Sequence, residues 1–374
     1  MDMKTFKKIN ARIRKMFLYK SNLDHGTGYG SVVPEDKSYA LLIEDKSFIS
    51  LKFYPRTISN DLRSNDSNID SLMKETAIIL AGPIKNQDEF TLNTVMFYKK
   101  YFPNCKIVLS TWEQENTSAL KAMEEYLDEI ILNKLPSDSG WGNLNLQLHN
   151  TRNAIQWVDR NQIKYSIKTR TDCRIYSNTF FRQINNFNKI IDKVFEENSR
   201  RIAVSDLGTY KFRPYGATDV FQIGPTSELL KYWGIEEPNL ELARLRNKYN
   251  FEKNLKNDIP VVAEIFLCAS YLDRLGFELE WNLKDWYKLL RSNFSIISSQ
   301  EIELFWNKYD WRTLGHKIQS FHQREAIFMS QNDYLDLIIN GEDKLISFGT
   351  VEKWTDIKPD GQYPSQDGLW QITC

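Results

Sequence analysis

From Thr76 onward the chain alternates short apolar runs with helical segments, and this alternation limits the fold more than any other feature of the sequence. The apolar runs are TAIILAG from Thr76, KIVLS from Lys106, EIIL from Glu129 and KYSIKTRTDCRIY from Lys164. Between them lie segments whose apolar residues have helical spacing. Strict alternation of strand and helix is typical of a parallel sheet with helices on both faces. We therefore predict an α/β fold with a mostly parallel central sheet flanked by helices.

Further strands and helices follow the fourth run. We predict a helix over about residues 179–195, strands at RIAVSDL (201–207) and TDVFQIG (218–224), a buried helix from Pro260 to Leu272, and a last strand at FSIIS (294–298). Asn86 and Glu89 have the spacing of a capping box, which predicts that a helix begins there after the first strand.

The composition divides the chain into three regions. Residues 1–75 contain a basic helical segment, a predicted hairpin and a polar linker, whereas residues 76–300 contain the alternating elements. Residues 301–374 end in a segment rich in Gly and Pro. We predict that residues 76–300 form the main domain and that the other two regions are extensions of it.

The first twenty residues, MDMKTFKKINARIRKMFLYK, place basic residues around apolar residues at helical spacing. A basic amphipathic helix of this kind can lie on an anionic membrane surface. The alternative is a helix packed on its own domain. Because no apolar run reaches the length of a membrane span and no signal-peptide pattern is found, we expect a cytoplasmic protein, with residues 1–20 as a candidate peripheral membrane contact.

Charge, cysteine content and missing motifs exclude several classes of function. Lys plus Arg and Asp plus Glu each total 49 in the 374 residues, so the whole-chain charge gives no nucleic-acid footprint. The four cysteines lack CxxC spacing, which argues against a disulfide framework or a zinc site. No P-loop, GxGxxG or HExxH pattern occurs, and the four histidines are isolated. Anionic partners must therefore be bound by local patches.

The fourth apolar run ends in a charge cluster of Arg170, Asp172 and Arg174. In α/β proteins ligands bind beyond the carboxyl ends of strands, and a carboxylate there can hold a divalent cation that binds a nucleotide diphosphate. The alternative is a surface ion-pair cluster, which contributes little stability. We predict Asp172 as a metal ligand, with Mn²⁺ or Mg²⁺ as the cofactor.

Polar and aromatic residues follow the neighbouring strands at the same predicted edge of the sheet. Trp112 can stack on a base, and the forked donors of arginine can pair with phosphate oxygens. The predicted nucleotide-binding residues are Ala81, Gly82, Pro83, Thr111, Trp112, Glu113, Arg152, Arg170, Thr171 and Arg174.

Two acidic residues are candidates for proton transfer. Glu264 is the charged residue of a helix that is otherwise apolar, so burial would raise its pKa toward the range of a general base. The structural alternative is a carboxylate stabilised by the dipole at the helix N-terminus. Asp219, at the start of the TDVFQIG strand, is the second candidate.

Several segments resemble a known family. LAGPIKNQDEF, HNTRNAI, KYSIKTRTDCRIY, YKFRPYGATDVFQIG and SSQEIELFW are similar to the WavE family of lipopolysaccharide-synthesis proteins, over about residues 76–309. The order of elements also resembles the nucleotide-sugar-binding half of a GT-A glycosyltransferase. The resemblance implies a glycosyltransferase that moves a sugar from a nucleotide-sugar donor to a saccharide or lipid-linked acceptor of a bacterial surface polysaccharide, either lipopolysaccharide or capsule.

The resemblance also implies roles for single residues. Asp172 stands at the last acid of the GT-A Asp-x-Asp metal motif, but Arg170 replaces the first acid, so the site would bind metal more weakly or neutralise the diphosphate with guanidiniums. Glu264 matches the base of inverting GT-A enzymes, and Asp219 would line the acceptor side. Two alternatives stay open: a nucleotidyl- or polyol-phosphate transferase on a similar sheet, and a non-catalytic partner in polysaccharide assembly.

Overall fold

The computed structural model describes residues 67–177, 179–195, 201–211, 213–235, 238–249, 262–307 and 328–341. The predicted basic helix and hairpin, and most of the C-terminal extension, lie outside these residues. The three predicted regions therefore stay predictions. Within the described ranges, no helix has the length and apolar character needed to span a membrane.

The described elements follow the predicted alternation. The strands are β1 (Thr76–Ala81), β2 (Lys106–Trp112), β3 (Glu129–Asn133), β4 (Tyr165–Arg170), β5 (Cys173–Ile175), β6 (Ile202–Ser205), β7 (Gln222–Pro225), β8 (Phe294–Ile297) and β9 (Leu304–Trp306). The α-helices are α1 (Ser67–Lys74), α2 (Phe90–Tyr101), α3 (Thr117–Met123), α4 (Leu144–Arg160), α5 (Phe180–Phe195), α6 (Thr226–Trp233), α7 (Pro238–Tyr249), α8 (Ala263–Arg274), α9 (Leu283–Asn293) and α10 (Gln331–Asn340).

Seven of the described strands form one sheet in the order β3-β2-β1-β4-β7-β6-β8. Strands β1 to β4 are parallel, as are β6 and β8, and β7 is antiparallel to both of its neighbours. The crossover from β1 through α2 to β2 runs toward one edge, and that from β3 through α4 to β4 runs back toward the other. Right-handed crossovers place these two helices on opposite faces. The predicted mostly parallel sheet flanked by helices is confirmed.

The central strands are apolar because both faces of the sheet are covered. Every residue of β1 is buried, and Ile78, Ile79 and Leu80 have no exposed surface. The predicted buried helix is α8, whose residues from Ile265 to Asp273 are all buried. The sheet is therefore a rigid base for side chains at the ends of its strands.

The structure changes the extent of two predicted strands, at residues 164–176 and 218–224, and shows one more strand after the predicted last one. The run from Lys164 to Tyr176 is two strands: the chain turns at residues 171–172, and β5 pairs with β9 in a separate sheet. The TDVFQIG strand is antiparallel, because the loop before it returns the chain to the carboxyl ends of the parallel strands. The predicted last strand is followed by β9.

The predicted capping box is wrong. Asn86 makes no side-chain cap, and α2 begins at Phe90 after a short 3-10 turn, with Glu89 in a left-handed conformation. Thr91 organises the turn instead, since its Oγ1 accepts a hydrogen bond from Lys85 N at 2.8 Å and its own N–H donates to the Lys85 carbonyl. The start of the helix is therefore set by Thr91.

Candidate functional site

The carboxyl ends of β1 to β4 and the start of β7 lie along one edge of the sheet, which we call the rim. It comprises Gly82, Pro83, Trp112, Glu113, Asn133, Arg170, Thr171, Asp172 and Asp219. Strands β1 and β4 are neighbours, yet the chain leaves them toward opposite sides of the sheet. Ligands of α/β proteins bind at such switch points. The structure thus brings the predicted residues after β1 and β4 together.

Thr171 ties the ends of β1 and β4 to each other. Its N–H donates to the Ala81 carbonyl at 3.4 Å, and its Oγ1 donates to the Pro83 carbonyl at 2.6 Å. Gly82 has φ +129°, and a Cβ there would lie 3.1 Å from Thr171 Oγ1. The turn after β1 therefore requires glycine, for its backbone angle and for the close approach of Thr171.

Arg170 and Asp172 form a two-point ion pair across the turn that ends β4. Arg170 Nε donates to Asp172 Oδ1 at 2.8 Å and Nη2 donates to Oδ2 at 3.1 Å. Burial alone would lower the pKa of Arg170, but the hydrogen bonds and charge of Asp172 outweigh it and raise that pKa. The guanidinium also lies 5.2 Å from the centre of the Trp306 ring. Since its side chain is 26% exposed, Arg170 keeps a surface toward solvent at the rim.

Asp172 does not by itself fit a resident divalent cation. Both of its carboxylate oxygens accept hydrogen bonds from Arg170. Among the residues that the structure describes, no three His, Cys, Asp or Glu side chains group in a way that could hold a metal ion. Mg²⁺ requires six oxygen ligands, most of which would have to come from substrate and water. The cation at Asp172 stays a prediction.

Arg174 lies in the protein interior rather than at the rim. It is 2% exposed, and its guanidinium donates to Thr94 Oγ1 at 2.9 Å, to the Phe90 carbonyl at 3.0 Å and to Tyr176 Oη at 3.0 Å. Burial lowers its pKa. These contacts fasten β5 to α2, so the geometry gives Arg174 a structural role and does not present it to a phosphate.

The two predicted catalytic acids lie close enough for the charge of one to affect the other. Asp219 is 5% exposed. It lies at the rim because it precedes β7, which runs antiparallel to β4 and therefore starts beside the carboxyl end of β4. Glu264 lies in the first turn of α8, which packs against α6. Burial raises the pKa of Glu264 and the charge of Asp219 raises it further, while Arg213 and Lys168 oppose the shift. Burial and the negative charge of Asp219 thus act together to favour the neutral form of Glu264.

Lys168 belongs to this cluster, and sequence reasoning missed it. Its side chain is buried in the middle of β4, its ammonium donates to the Asp219 carbonyl, and Nζ lies 4.7 Å from the centre of the Trp233 ring. Burial lowers the pKa of Lys168 to about 8, although the charge of Asp219 acts in the opposite direction. The sequence signal that could have identified Lys168 is a lysine in the middle of a strand whose other residues are predicted to be buried.

The remaining predicted nucleotide-binding residues differ in their surroundings. Trp112 ends β2 with 8% of its surface exposed, Thr111 is fully buried, and Glu113 is exposed. Arg152 donates to the carbonyl of Ile235, just beyond α6, at 3.2 Å. That contact holds Arg152 against α6 rather than against the ion pair at the end of β4.

Buried amides brace the rim beside Trp112. Asn133 Nδ2 donates to Asn150 Oδ1 at 2.8 Å and to Ser110 Oγ at 2.9 Å, and Asn153 Nδ2 donates to Asn133 Oδ1 at 2.6 Å. The HNTRN segment of α4 therefore fixes the ends of β2 and β3.

A cleft of about 280 Å³ lies on the other side of the turn after β1. It is lined by residues of that turn, including Ile84 and Lys85, and by α3 residues from Ser118 to Met123. Asp172, Asp219 and Glu264 are not among the residues that line it. The cleft and the acid pair are therefore separate features of the described residues.

Comparisons with known proteins bear on the family and the fold. A family model described as WavE lipopolysaccharide synthesis matches residues 76–309. A search of curated proteins finds no match. Among solved structures, a cytidylyltransferase from Leptospira borgpetersenii is 12% identical, with 74% of this chain and 98% of that chain covered and a TM-score of 0.32.

A second solved structure is 4-diphosphocytidyl-2C-methyl-D-erythritol synthase from Anaerococcus prevotii. It is 9% identical, with 64% of this chain and 98% of that chain covered and a TM-score of 0.31. Similarity this distant carries no inference about activity.

Proposed function

The chain belongs to the WavE family of lipopolysaccharide-synthesis proteins, and from that premise we propose that it is a glycosyltransferase. It moves a sugar from a nucleotide-activated donor to an acceptor of a bacterial surface polysaccharide. One observation carries the proposal: β1 and β4 meet at a switch point whose rim holds both the guanidinium of Arg170, 26% exposed, and the buried carboxyl of Asp219. Transfer from a sugar nucleotide needs a cation for the leaving group and a base for the acceptor.

The acids and the arginine have complementary roles in the proposed reaction. The bond from the anomeric carbon to the diphosphate breaks, and its electron pair leaves with the diphosphate, whose charge Arg170 stabilises. The acceptor oxygen forms the new bond to the anomeric carbon and gives its proton to Glu264, whose raised pKa makes it a stronger base than an ordinary carboxylate. Asp219 lines the acceptor side and keeps Glu264 basic through its charge.

The nucleotide part of the donor would lie along the rim. In this proposal the backbone of the turn at Gly82 and Pro83 lies close to the nucleotide. The exposed part of Trp112 contacts the base. A divalent cation bound by Asp172 and substrate phosphates would add positive charge at the diphosphate, and none of the steps above requires it. Residues 1–20 would bring the enzyme to an anionic membrane, where a lipid-linked acceptor is found.

Product analysis tests the proposed function. The purified protein is incubated with a panel of nucleotide sugars and a lipopolysaccharide or capsule acceptor fraction. We expect release of nucleotide diphosphate, or of monophosphate from a CMP-sugar, together with sugar on the acceptor. Glu264→Gln should reduce this transfer by about 100-fold or more, whereas Glu278→Gln, at a side chain 76% exposed, should not.

Other outcomes would replace the proposal. Release of pyrophosphate with formation of an activated sugar would identify a nucleotidyltransferase. Failure of every nucleotide sugar, with and without Mg²⁺ or Mn²⁺, to raise the melting temperature would indicate a non-catalytic partner in polysaccharide assembly.

A further inference from the structure

Lys168 is connected to both ends of the segment that carries Asp219. Its ammonium donates to the Asp219 carbonyl and lies over the ring of Trp233. Trp233 Nε1 donates to Gln222 Oε1 at 2.7 Å, and Gln222 Nε2 donates to the Thr218 carbonyl at 3.0 Å. Segment 218–222 is therefore held by a hydrogen bond between its own ends, and the buried Lys168 contacts it at Asp219.

A charged side chain is unusual at the buried position of Lys168. Its hydrogen bond goes to a backbone carbonyl, so carboxylates act on the ammonium through space rather than by direct contact. A buried ammonium without a directly bonded carboxylate is costly, and an apolar side chain would fill a strand interior at lower cost. The charge therefore calls for an explanation beyond packing.

The groups that face Lys168 and Glu264 come from several elements. Lys168 is influenced by Asp219 at the rim and by Arg170 and Asp172 at the end of its own strand. Glu264 is influenced by Asp219, by Arg213 from the loop before β7, and by Lys168. The hydroxyl of Tyr232 on α6 lies within the electrostatic influence of both acids.

We propose that Lys168 is a positioning residue of this site: it fixes segment 218–222, which carries Asp219, and its buried positive charge supports the ionised form of Glu264. Its relevance to catalysis rests on the proposed function. Its electrostatic coupling to Glu264 does not, and can be measured on the folded protein alone.

A double-mutant cycle tests the coupling. The free energy of unfolding in urea is measured for the wild type, Lys168→Met, Glu264→Gln and the double variant, from about pH 5 to pH 9. We expect the coupling to be largest at the pH where both groups are charged. It should fall at more acidic pH as Glu264 is protonated, and above about pH 8 as Lys168 loses its proton. A coupling that is absent, or that does not change with pH, would overturn the proposal.

Further variants separate charge from packing. Lys168→Gln keeps a donor for the Asp219 carbonyl but has no charge, so it should also lose the pH-dependent coupling. Lys164→Met, whose lysine is 60% exposed just before the same strand, should show no coupling to Glu264. If neither Lys168 variant folds, Glu264→Gln alone tests the proposal. This variant should lower the pH at which Lys168 releases its proton. A free energy of unfolding with the same pH dependence as the wild type above pH 7 would refute the proposal.

The reaction provides a second readout. In Lys168→Gln the acidic limb of the pH–rate profile should move to higher pH, because the ionised Glu264 loses a supporting charge. An unmoved limb with only a uniform loss of rate would reduce Lys168 to a structural residue. If the wild type transfers no sugar, the proposed function fails while the measured coupling still stands or falls on its own.

Discussion

Arg170 holds both carboxylate oxygens of Asp172, with Nε to Oδ1 at 2.8 Å and Nη2 to Oδ2 at 3.1 Å. The two residues flank Thr171, whose hydroxyl anchors the same turn to the Pro83 carbonyl. The ion pair is thus built into the junction between β1 and β4. A metal ion at Asp172 would therefore share both carboxylate oxygens with the guanidinium and lie close to its positive charge.

Removing that guanidinium should expose a metal ligand. In Arg170→Gln the oxygens of Asp172 lose a charged two-point partner, and a nearby positive charge that repels cations disappears. We expect the affinity for Mn²⁺, measured by titration without nucleotide, to rise by about tenfold or more over the wild type. The double variant Arg170→Gln, Asp172→Asn should lose this gain. Equal Mn²⁺ affinity in all three proteins would show that Asp172 is not available to a cation.

Arg174 and Arg170 should behave differently when each is replaced by methionine. Arg174→Met leaves Thr94 Oγ1 without the guanidinium donor and removes one of the donors to the Phe90 carbonyl, which should lower the free energy of unfolding by about 2–4 kcal/mol. Arg170→Met should cost less stability but weaken binding of a nucleoside diphosphate. Urea unfolding and a calorimetric titration measure the two effects. If Arg174→Met is as stable as the wild type but no longer binds the nucleotide, Arg174 is a nucleotide-binding residue after all.

The turn after β1 should not tolerate a side chain. Gly82→Ala must adopt φ near +129° and places Cβ 3.1 Å from Thr171 Oγ1, so we expect a loss of about 2–3 kcal/mol in unfolding free energy. Gly276→Ala is the matched control, since its φ is +92° but no atom lies within 4 Å of the added Cβ. It should cost about 1 kcal/mol. Equal losses in urea unfolding would mean that the contact with Thr171 contributes nothing.

The strands of the central sheet could be predicted because their signal is local. TAIILA is apolar throughout, as a strand covered on both faces must be, and every one of its residues is buried. The break between β4 and β5 could not be predicted in the same way. It depends on Thr171 reaching Pro83, which is 88 positions earlier in the chain, and the residues from Lys164 to Tyr176 alternate as a single strand would.

The site could be predicted only in outline for a related reason. Arg170 and Arg174 look equivalent in sequence, but the turn between them sends one guanidinium to the rim and the other into contact with Thr94. Asp219 and Glu264 could be selected as candidates because an acid beside a predicted strand and an acid in an apolar helix stand out in the sequence. Lys168 was missed because its hydrogen-bond partner is the backbone carbonyl of Asp219. The direction of a backbone carbonyl depends on the fold and cannot be inferred from the sequence.

The buried ammonium of Lys168 should make stability depend on alkaline pH. Its pKa is about 8 in the folded protein, below the ordinary value of 10.5, so between these values the unfolded chain binds more protons than the folded one. The free energy of unfolding must therefore rise with pH across this window, by about 3 kcal/mol from this residue. Below pH 8 the full penalty is present. Lys168→Met should abolish this rise relative to the wild type in urea titrations between pH 7.5 and 10.5, whereas Lys121→Met, at an exposed position of α3, should retain it. Parallel pH profiles for the wild type and Lys168→Met would mean that the lysine keeps an ordinary pKa and that burial does not destabilise its ammonium.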